Sequence, residues 1–266
     1  MRKPNRTWAG KWALITGASA GIGWALAEEL AAGEANLVLT ARRAERLEKL
    51  AAGLTAKHKI QAVVVTADLT KPEATGEIFD YTSKRNLEIE LLVNNAGFGA
   101  FGYTHEIASE KMAEMIQVNC TAVVQLTRLY LPGMVERRHG YVLIVASTAA
   151  FQAVPFNTVY AATKAFDLLF AEGLSEEVRP QGVKVCALCP GPTTTEFQEV
   201  AKQPDRAFKV AETAEKVARV GLAGMAKGKS YVISGPMNRV MMECERVVPR
   251  RFVTQMAAKM MRPEKG

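Results

Sequence analysis

The sequence predicts an α/β protein built on one doubly wound, mainly parallel sheet of seven strands. Seven short apolar runs alternate with helix-compatible segments, which is the pattern of parallel strands joined by crossover helices. The chain has 266 residues, 48% of them hydrophobic, and no shift in composition marks an internal linker. We expect one domain over residues 11–235, an N-terminal arm over 1–10 and an amphipathic helical extension over 236–266.

The apolar runs are rich in Val, Ile and Leu and have the length of buried strands. The segments between them repeat apolar residues at three- and four-residue spacing, as a helix with one buried face does. The predicted strands span residues 11–16, 36–40, 60–66, 90–93, 141–147, 183–189 and 230–234. Helices are expected over 24–32, around 47–51, from about 72, and over 106–137, 157–179 and 213–226, with a mobile cover over 197–210.

A glycine-rich turn joins the first strand to the first helix. Gly17, Gly21 and Gly23 follow the strand directly, and free amide groups at a helix N-terminus attract phosphate. Glycines let the backbone approach a pyrophosphate closely, although three glycines also suit an ordinary tight turn. Because a strand and a helix flank this turn, we favour a dinucleotide phosphate site.

Two arginines follow the second strand, where a dinucleotide-binding sheet faces the adenosine ribose. An acidic residue there suits a ribose 2′-hydroxyl, whereas Arg42 and Arg43 suit a 2′-phosphate. This favours NADP over NAD; the alternative is two solvated arginines at a helix start. Asp68, after the third strand, suits equally an adenine amine or the cap of the helix that begins near Pro72.

Small and amide-bearing residues follow the fourth and sixth strands. The stretch Asn-Asn-Ala-Gly at 94–97 permits close contact with a cofactor, and a plain turn is the alternative. At 190–195, two prolines stiffen the chain and three threonine hydroxyls can reach a carboxamide or a pyrophosphate. Asn119 falls inside the predicted 106–137 helix, where it bonds a buried water or a backbone group, or is simply tolerated.

A phenol and an amine lie four residues apart on the helix after the fifth strand. Tyr160 and Lys164 share one helix face, and an ammonium beside a phenol lowers the phenol pKa, which is about 10 in free tyrosine. Such a pair provides an acid/base near neutral pH. Alone it is a weak signal, because Tyr-x-x-x-Lys occurs by chance on many helices. Ser147 adds a hydroxyl at the end of the strand before them.

Net charge and cysteine spacing limit which ligands and partners the protein is expected to bind. The net charge of +7 favours a phosphorylated cofactor, an anionic lipid surface or nucleic acid. The basic residues are scattered and match no nucleic-acid-binding motif, so we expect no nucleic-acid partner. Cys120, Cys186, Cys189 and Cys244 lack the spacing of a zinc site, so we predict no metal and free thiols in a reducing, cytoplasmic compartment. Neither a secretory signal nor a run of about 18 apolar residues is found.

The tail differs from the rest in composition. Its apolar residues recur at helical spacing from Phe252 to Met261, beside the basic residues Arg246, Arg250, Arg251, Lys259 and Arg262. A basic amphipathic helix suits an anionic membrane surface. Packing on the domain or on a sister subunit is the alternative. An apolar pocket is also suggested by Phe98, Phe101, Phe151, Phe156 and Phe197.

Jointly these motifs resemble the short-chain dehydrogenase/reductase family over nearly all of residues 11–234. Several motifs in the family's order, with thirteen positions from the serine to the tyrosine, are far more specific than any one of them. The residues that carry the resemblance are 16–23 (Thr-Gly-Ala-Ser-Ala-Gly-Ile-Gly), Asp68, 94–97, Asn119, Ser147, Tyr160, Lys164 and Pro190-Gly191.

The resemblance implies a Rossmann-fold, NADP-preferring member with a C-terminal extension and a catalytic set of four residues. Tyr160 donates a proton to a carbonyl oxygen, Ser147 steadies that oxygen, and Lys164 lowers the tyrosine pKa and grips the nicotinamide ribose. Asn119 holds a water that connects Lys164 to solvent. The implied cofactor contacts, with Arg42 the first candidate for the 2′-phosphate, are Gly17, Ser19, Gly21, Ile22, Gly23, Arg42, Arg43, Asp68, Asn95, Ala96, Gly97, Tyr160, Lys164, Pro190, Gly191 and Thr193.

We therefore predict an NADPH-dependent oxidoreductase that interconverts a carbonyl and an alcohol by hydride transfer on a lipophilic substrate. The alternatives on this fold are a non-catalytic NADP-binding sensor and a membrane-surface adaptor that acts through its tail. Family members commonly pair the helices near 106–137 and 157–179 between subunits, which implies a homodimer or homotetramer. Peripheral membrane contact through the tail is the alternative to a purely cytoplasmic location.

Overall fold

A seven-stranded parallel sheet forms the centre of the molecule. The computed structural model describes residues 4–201, 211–245 and 247–263, apart from the side chains of 199 and 200. The strands are β1 Trp12–Thr16, β2 Asn36–Ala41, β3 Ala62–Thr66, β4 Ile89–Asn94, β5 Gly140–Val145, β6 Val183–Cys189 and β9 Tyr231–Ile233. They lie in the order β3-β2-β1-β4-β5-β6-β9, and every neighbouring pair is parallel. The short strands β7 Thr193–Thr194 and β8 Glu212–Thr213 pair separately.

Helices cover both faces of this sheet, as strands joined by right-handed crossovers require. They are α1 Gly21–Ala32, α2 Ala44–His58, α3 Ala74–Lys84, α4 Ser109–Ile116, α5 Ala122–Glu136, α6 Thr158–Val178, α7 Phe197–Ala201, α8 Ala214–Ala226, α9 Pro236–Glu245 and α10 Arg250–Met261. One face carries α1, α2 and α8, and the other carries α3, α5 and α6.

Alternation along each strand explains why both faces of the sheet are apolar. In β1, Ala13 and Ile15 enter the core under α1, α2 and α8, whereas Leu14 enters the opposite core. The free thiols of Cys186 and Cys189, three residues apart on β6, likewise lie in opposite cores, as alternation along a strand requires. Within the described ranges, no group of side chains is arranged to hold a metal ion.

The sheet reverses its winding between β1 and β4. The chain moves outward through β2 and β3 and then returns to the other side of β1. In open parallel sheets, ligands bind at the carboxyl ends of the strands beside such a reversal. Thr16 ends β1 and Asn95 follows β4, so the two motifs that flank this point come together.

The predicted fold is confirmed, and each observed strand limit of the sheet lies within two residues of the predicted one. The helix predicted over 106–137 is instead α4 and α5, joined by a π-helical turn at Gln117–Thr121. The predicted cover begins as α7, while its residues 202–210, with Lys202, Arg206 and Lys209, lie outside the described residues.

The two ends of the chain pack differently. Trp8, in the predicted N-terminal arm, is buried and meets Tyr141 edge-on, with ring centres 5.3 Å apart. At the other end, α10 covers the stretch with amphipathic spacing, and a further helix, α9, precedes it. Arg246, between them, is outside the described residues. No described helix is long and apolar enough to span a bilayer.

Candidate active site

A cavity of about 780 Å³ opens at the carboxyl ends of β1, β2, β4, β5 and β6, beneath α9 and α10. Nearly all the residues predicted from the sequence line it. Gly23 and Asn119 are the two exceptions, and both support the cavity wall from behind. The lining residues predicted from the sequence are Gly17, Ser19, Gly21, Ile22, Arg42, Arg43, Asp68, Asn95, Ala96, Gly97, Ser147, Tyr160, Lys164, Pro190, Gly191 and Thr193.

The glycine turn is packed too tightly for side chains. Gly17 has φ +66°, and a Cβ there would lie 2.9 Å from the Cα of Ala96. A Cβ on Gly23 would lie 2.4 Å from the carbonyl oxygen of Gly17. Asn95 braces the turn, because its Nδ2 donates to the carbonyl oxygen of Thr16 at 2.7 Å. The backbone cradle thus fits the close approach of a phosphate.

The adenosine end of the cavity distinguishes the two arginines. Arg43 donates to Ser19 Oγ at 3.1 Å and pairs with Glu196 Oε2 at 2.7 Å. Arg46 pairs with the other oxygen of Glu196, and these two guanidinium groups hold the pKa of Glu196 below its usual range. Arg42 is exposed and makes no hydrogen bond or ion pair with any described residue. Of the two guanidinium groups, that of Arg42 is therefore the one without a partner among the described residues, and its contact with a 2′-phosphate stays a prediction.

Asp68 caps a turn. Its Oδ1 accepts a hydrogen bond from the backbone N–H of Thr70 at 3.1 Å. The next helix, α3, begins later, and no side chain caps its N-terminus. The alternative that Asp68 caps this helix is therefore wrong, because the chain completes a separate turn first. Asp68 also lines the cavity, as the adenine-contact alternative requires.

Ser147, Tyr160 and Lys164 meet at the deep end of the cavity. Ser147 follows β5, and its Oγ accepts from the backbone N–H of Ala149 at 3.1 Å. Tyr160 and Lys164 are both buried on α6, with the lysine Nζ 5.9 Å from the tyrosine ring centre. Lys164 donates to the carbonyl oxygen of Val145 at 2.7 Å, which fixes its ammonium beneath the end of β5.

Burial changes the expected acidity of Tyr160. Loss of solvent raises the pKa of the phenol, while the Lys164 ammonium and a hydrogen bond with Ser147 lower it. The net pKa is raised, so the expectation of a pKa below that of free tyrosine is wrong for this state of the site. The physical reason is that desolvation penalises the phenolate more than the single ammonium stabilises it. Tyr160 therefore carries its proton at neutral pH.

Asn119 is buried in the π-helical turn and bridges two elements. Its Oδ1 accepts from the backbone N–H of Phe98 at 3.1 Å, and its Nδ2 donates to the Phe98 carbonyl oxygen at 3.0 Å. The same Nδ2 reaches Thr163 Oγ1 at 3.0 Å. Of the alternatives left open by the sequence, the structure shows bonding to a backbone group. The water-holding role implied by the resemblance stays a prediction.

The stretch after β6 forms the floor under α9. Thr193 Oγ1 donates to the carbonyl oxygen of Gly191 at 2.9 Å. A Cβ on Gly191 would lie 2.2 Å from Asn238 Nδ2, so only glycine lets α9 settle here. Of the five phenylalanines predicted to form an apolar pocket, Phe98 and Phe197 line the cavity.

Three features of the candidate site were not predicted from the sequence. The apolar spacing of the tail indicates a helix but not the surface that it covers. Glu196 accepts a hydrogen bond from Arg43, 153 residues away in sequence, and no local sequence pattern predicts such a contact. Asp167 is buried beside Lys164, and an acidic residue three positions after that lysine on an apolar helix face is the signal that could have identified it. The tail residues that line the cavity are Asn238, Met241, Met242, Cys244, Glu245, Val248, Phe252, Val253, Met256, Ala257, Met260 and Met261.

Comparison with known proteins gives consistent matches. A family model described as short chain dehydrogenase matches residues 11–206. The very-long-chain 3-oxoacyl-CoA reductase-B of Danio rerio is 36% identical over 197 residues, which is 73% of this chain and 63% of that protein. The very-long-chain 3-oxoacyl-CoA reductase of Bos taurus is 32% identical over 231 residues, 85% of this chain and 73% of that protein.

Among solved structures, a short-chain dehydrogenase from Sphingobium yanoikuyae in complex with NADPH superposes with a TM-score of 0.82. It is 28% identical, and the match covers 96% of this chain and 98% of that one. The predicted NADP-type cofactor agrees with the NADPH in that complex. The family model covers well over half of the sequence, and the predicted oxidoreductase class is confirmed with it. The chain belongs to the short-chain dehydrogenase/reductase family.

Proposed function

We propose that this protein is an NADPH-dependent reductase of long-chain carbonyl compounds, with 3-oxoacyl thioesters as the favoured class. The observation that carries the proposal is the buried Tyr160–Lys164 pair beside Ser147, at the deep end of a cavity whose other end is a phosphate cradle. A phenol that keeps its proton at neutral pH suits the reducing direction, in which the carbonyl oxygen needs a proton.

Each residue of the proposed catalytic set has its own role in the reduction. Bound NADPH supplies the hydride. Tyr160 Oη holds the proton that the carbonyl oxygen takes up, and Ser147 Oγ donates a hydrogen bond to the same oxygen. Lys164 places a positive charge near the phenolate that forms, which stabilises it. Asn119 fixes the loop after β4 to α6, so the wall behind Lys164 keeps its shape.

The adenosine end supports NADPH. The exposed guanidinium of Arg42 is available, whereas that of Arg43 is already engaged by Ser19 and Glu196. No acidic side chain follows β2 to receive a ribose 2′-hydroxyl, because the chain there reads Ala41-Arg42-Arg43. The glycine turn, the free arginine and Asp68 together fit a phosphorylated dinucleotide.

The walls of the cavity support a lipophilic substrate. Five methionines of α9 and α10 face it, together with Phe252 and Val253. The relatives from Danio rerio and Bos taurus are named for very-long-chain 3-oxoacyl-CoA, and an apolar wall of this kind accommodates an acyl chain.

The test is a substrate series followed by NADPH absorbance. Long-chain 3-oxoacyl-CoA esters should be reduced with a lower KM than short ones. Tyr160→Phe should lower kcat by at least about a hundredfold, because the proton donor is lost, and change the NADPH Kd only a few fold. Tyr81→Phe, which removes a hydroxyl on α3, is the matched control and should keep full activity. Turnover retained in Tyr160→Phe, or tight NADPH binding without reduction of any carbonyl compound, would favour the non-catalytic sensor.

The surface supports two partner proposals. Among the described residues, seven of the eleven exposed large hydrophobic side chains belong to residues 237–260, beside Arg239, Arg250, Arg251 and Lys259. We propose that this extension contacts an anionic membrane, where apolar and basic groups act together. Another exposed group consists of Ile116 at the end of α4 and of Phe166 and Leu169 on α6. It supports pairing of these helices between two subunits, as the family resemblance implies.

A further inference from the structure

A buried ion pair lies behind the candidate active site. Lys164 Nζ and Asp167 Oδ2 are 2.9 Å apart, and their side chains are only 6% and 1% exposed. The two residues are three positions apart on α6, so the carboxylate lies one turn further along the helix from the ammonium. Lys164 thus has two acceptors, Asp167 and the carbonyl oxygen of Val145.

Among the described residues, the carboxylate of Asp167 accepts a hydrogen bond only from Lys164. Its second oxygen, Oδ1, is buried and accepts no hydrogen bond from any of them. Burying a carboxylate is costly unless it is paired. A carboxylate that braced the backbone would use both oxygens on N–H groups. The contacts therefore tie Asp167 to the state of the lysine.

The other titratable groups that face this pair are Tyr160 on α6, Cys120 in the π-helical turn and Cys189 on β6. Burial raises the pKa of Cys120 to about 12 and also raises that of Cys189, so both thiols are neutral at pH 7. Tyr160 keeps its proton as well. Among these groups, Asp167 is thus the source of negative charge.

The acidities of the pair follow from burial and from this contact. Burial lowers the pKa of Lys164, but the charge of Asp167 and then the neighbouring Tyr160 oppose it, and the net pKa is raised. Burial raises the pKa of Asp167, and the Lys164 ammonium opposes that rise without cancelling it, so the net pKa of Asp167 is also raised. The 2.9 Å contact and the raised lysine pKa favour the charged pair at neutral pH.

We propose that Asp167 is a positioning residue for the reduction proposed above: it holds the Lys164 ammonium against Val145 and keeps it charged while Tyr160 gives up its proton. The proposal rests on that function. Asp167 also limits the effect of Lys164 on Tyr160. Its negative charge partly cancels that of the ammonium, so the ammonium lowers the pKa of the phenol less. The site therefore combines a permanently charged lysine with a tyrosine that stays protonated.

The test is the pH profile of kcat/KM for reduction in Asp167→Asn, which keeps the shape and removes the charge. Without the carboxylate, either Lys164 loses its proton at a lower pH or its full charge lowers the pKa of Tyr160. Both changes move the alkaline limb of the profile to lower pH, by about one pH unit or more. Glu177→Gln, an exposed charge removal on the same helix, should leave the limb in place. An unmoved limb in Asp167→Asn, with activity lowered equally at every pH, would overturn the proposal.

A second measurement needs no substrate, so it separates this inference from the proposed function. Removing one member of a buried pair leaves the other uncompensated, whereas removing both does not. Lys164→Met/Asp167→Asn should therefore melt at a higher temperature than Asp167→Asn, even if the single variant barely folds. A double variant that melts no higher than the single one, or that also fails to fold, would assign Asp167 to the core instead. If the parent protein reduces no carbonyl compound but the double variant still melts higher than the single one, the proposed function is wrong and the Lys164–Asp167 ion pair is supported.

Discussion

At the scale of single residues, burial decides which chemistry each side chain can perform. Tyr160 and Lys164 are recognisable from their spacing, but the sequence predicts a lowered tyrosine pKa and the structure gives a raised one. The difference arises because the four-residue spacing shows that Lys164 is near Tyr160 but does not show how deeply the phenol is buried. Arg42 and Arg43 are adjacent in sequence, yet one is free and the other is held by Ser19 and Glu196.

The two arginines give a residue-scale prediction about cofactor choice. Arg42→Ala should weaken NADPH binding by about 1–3 kcal/mol, the loss expected for a charge-assisted contact, and leave NADH binding nearly unchanged. Fluorescence titration of both cofactors measures this. Arg46→Ala removes another exposed cation, from α2, and should change the NADPH Kd much less. Equal weakening of both cofactors in Arg42→Ala would remove the 2′-phosphate assignment.

At the scale of elements, the strands were predictable and the joints between helices were not. Strand positions follow from local apolar runs such as residues 183–189, which match β6 residue for residue. The π-helical turn depends on contacts of Asn119 with Phe98 and Thr163, which are distant in sequence. Apolar spacing continues across such a turn, so a local pattern predicts one uninterrupted helix there. The candidate catalytic and cofactor-binding residues converge because parallel strands end at one edge of the sheet, so their convergence could be predicted from the sequence.

The cofactor turn gives an element-scale prediction. Gly23→Ala would put a Cβ 2.4 Å from the Gly17 carbonyl oxygen and 2.5 Å from Asn95 Nδ2. The turn must open, so we expect a stability loss of about 1–3 kcal/mol and at least tenfold weaker NADPH binding. Denaturant unfolding and cofactor titration test this. Gly53→Ala, on the exposed face of α2 with no atom within 4 Å of the new Cβ, should instead stabilise the protein by about 0.5–1 kcal/mol. NADPH binding unchanged in Gly23→Ala would show that the turn does not touch the cofactor.

At the scale of the whole molecule, the exposed apolar side chains are unevenly distributed. In the part of the chain that the structure describes, most of them belong to the C-terminal extension, which also lines the cavity from its inner side. The extension thus faces both the cavity and the surroundings of the protein. A lipophilic substrate dissolved in a membrane would meet this part of the molecule first, if the proposed contact forms.

Vesicle flotation tests the contact. The variant Met237→Ser/Val240→Ser/Val247→Ser changes exposed residues that do not line the cavity. It should bind vesicles with anionic lipid about tenfold less, because each side chain loses apolar burial. Tyr103→Ser, 38% exposed in the loop before α4 and outside both proposed surfaces, is the matched control. Salt should weaken binding of the parent protein. If the triple variant instead dissociates an oligomer and no form binds vesicles, a second copy of the chain covers this surface.

The five methionines in the cavity wall, Met241, Met242, Met256, Met260 and Met261, make the cavity sensitive to oxidants. A thioether is flexible and apolar, whereas its sulfoxide is polar. Peroxide would therefore turn an adaptable apolar wall into a hydrated one, while the phosphate cradle and Tyr160 stay chemically intact. If the substrate is the proposed long acyl chain, oxidation would weaken its binding before it affects NADPH binding, and reduction of the sulfoxides would restore it.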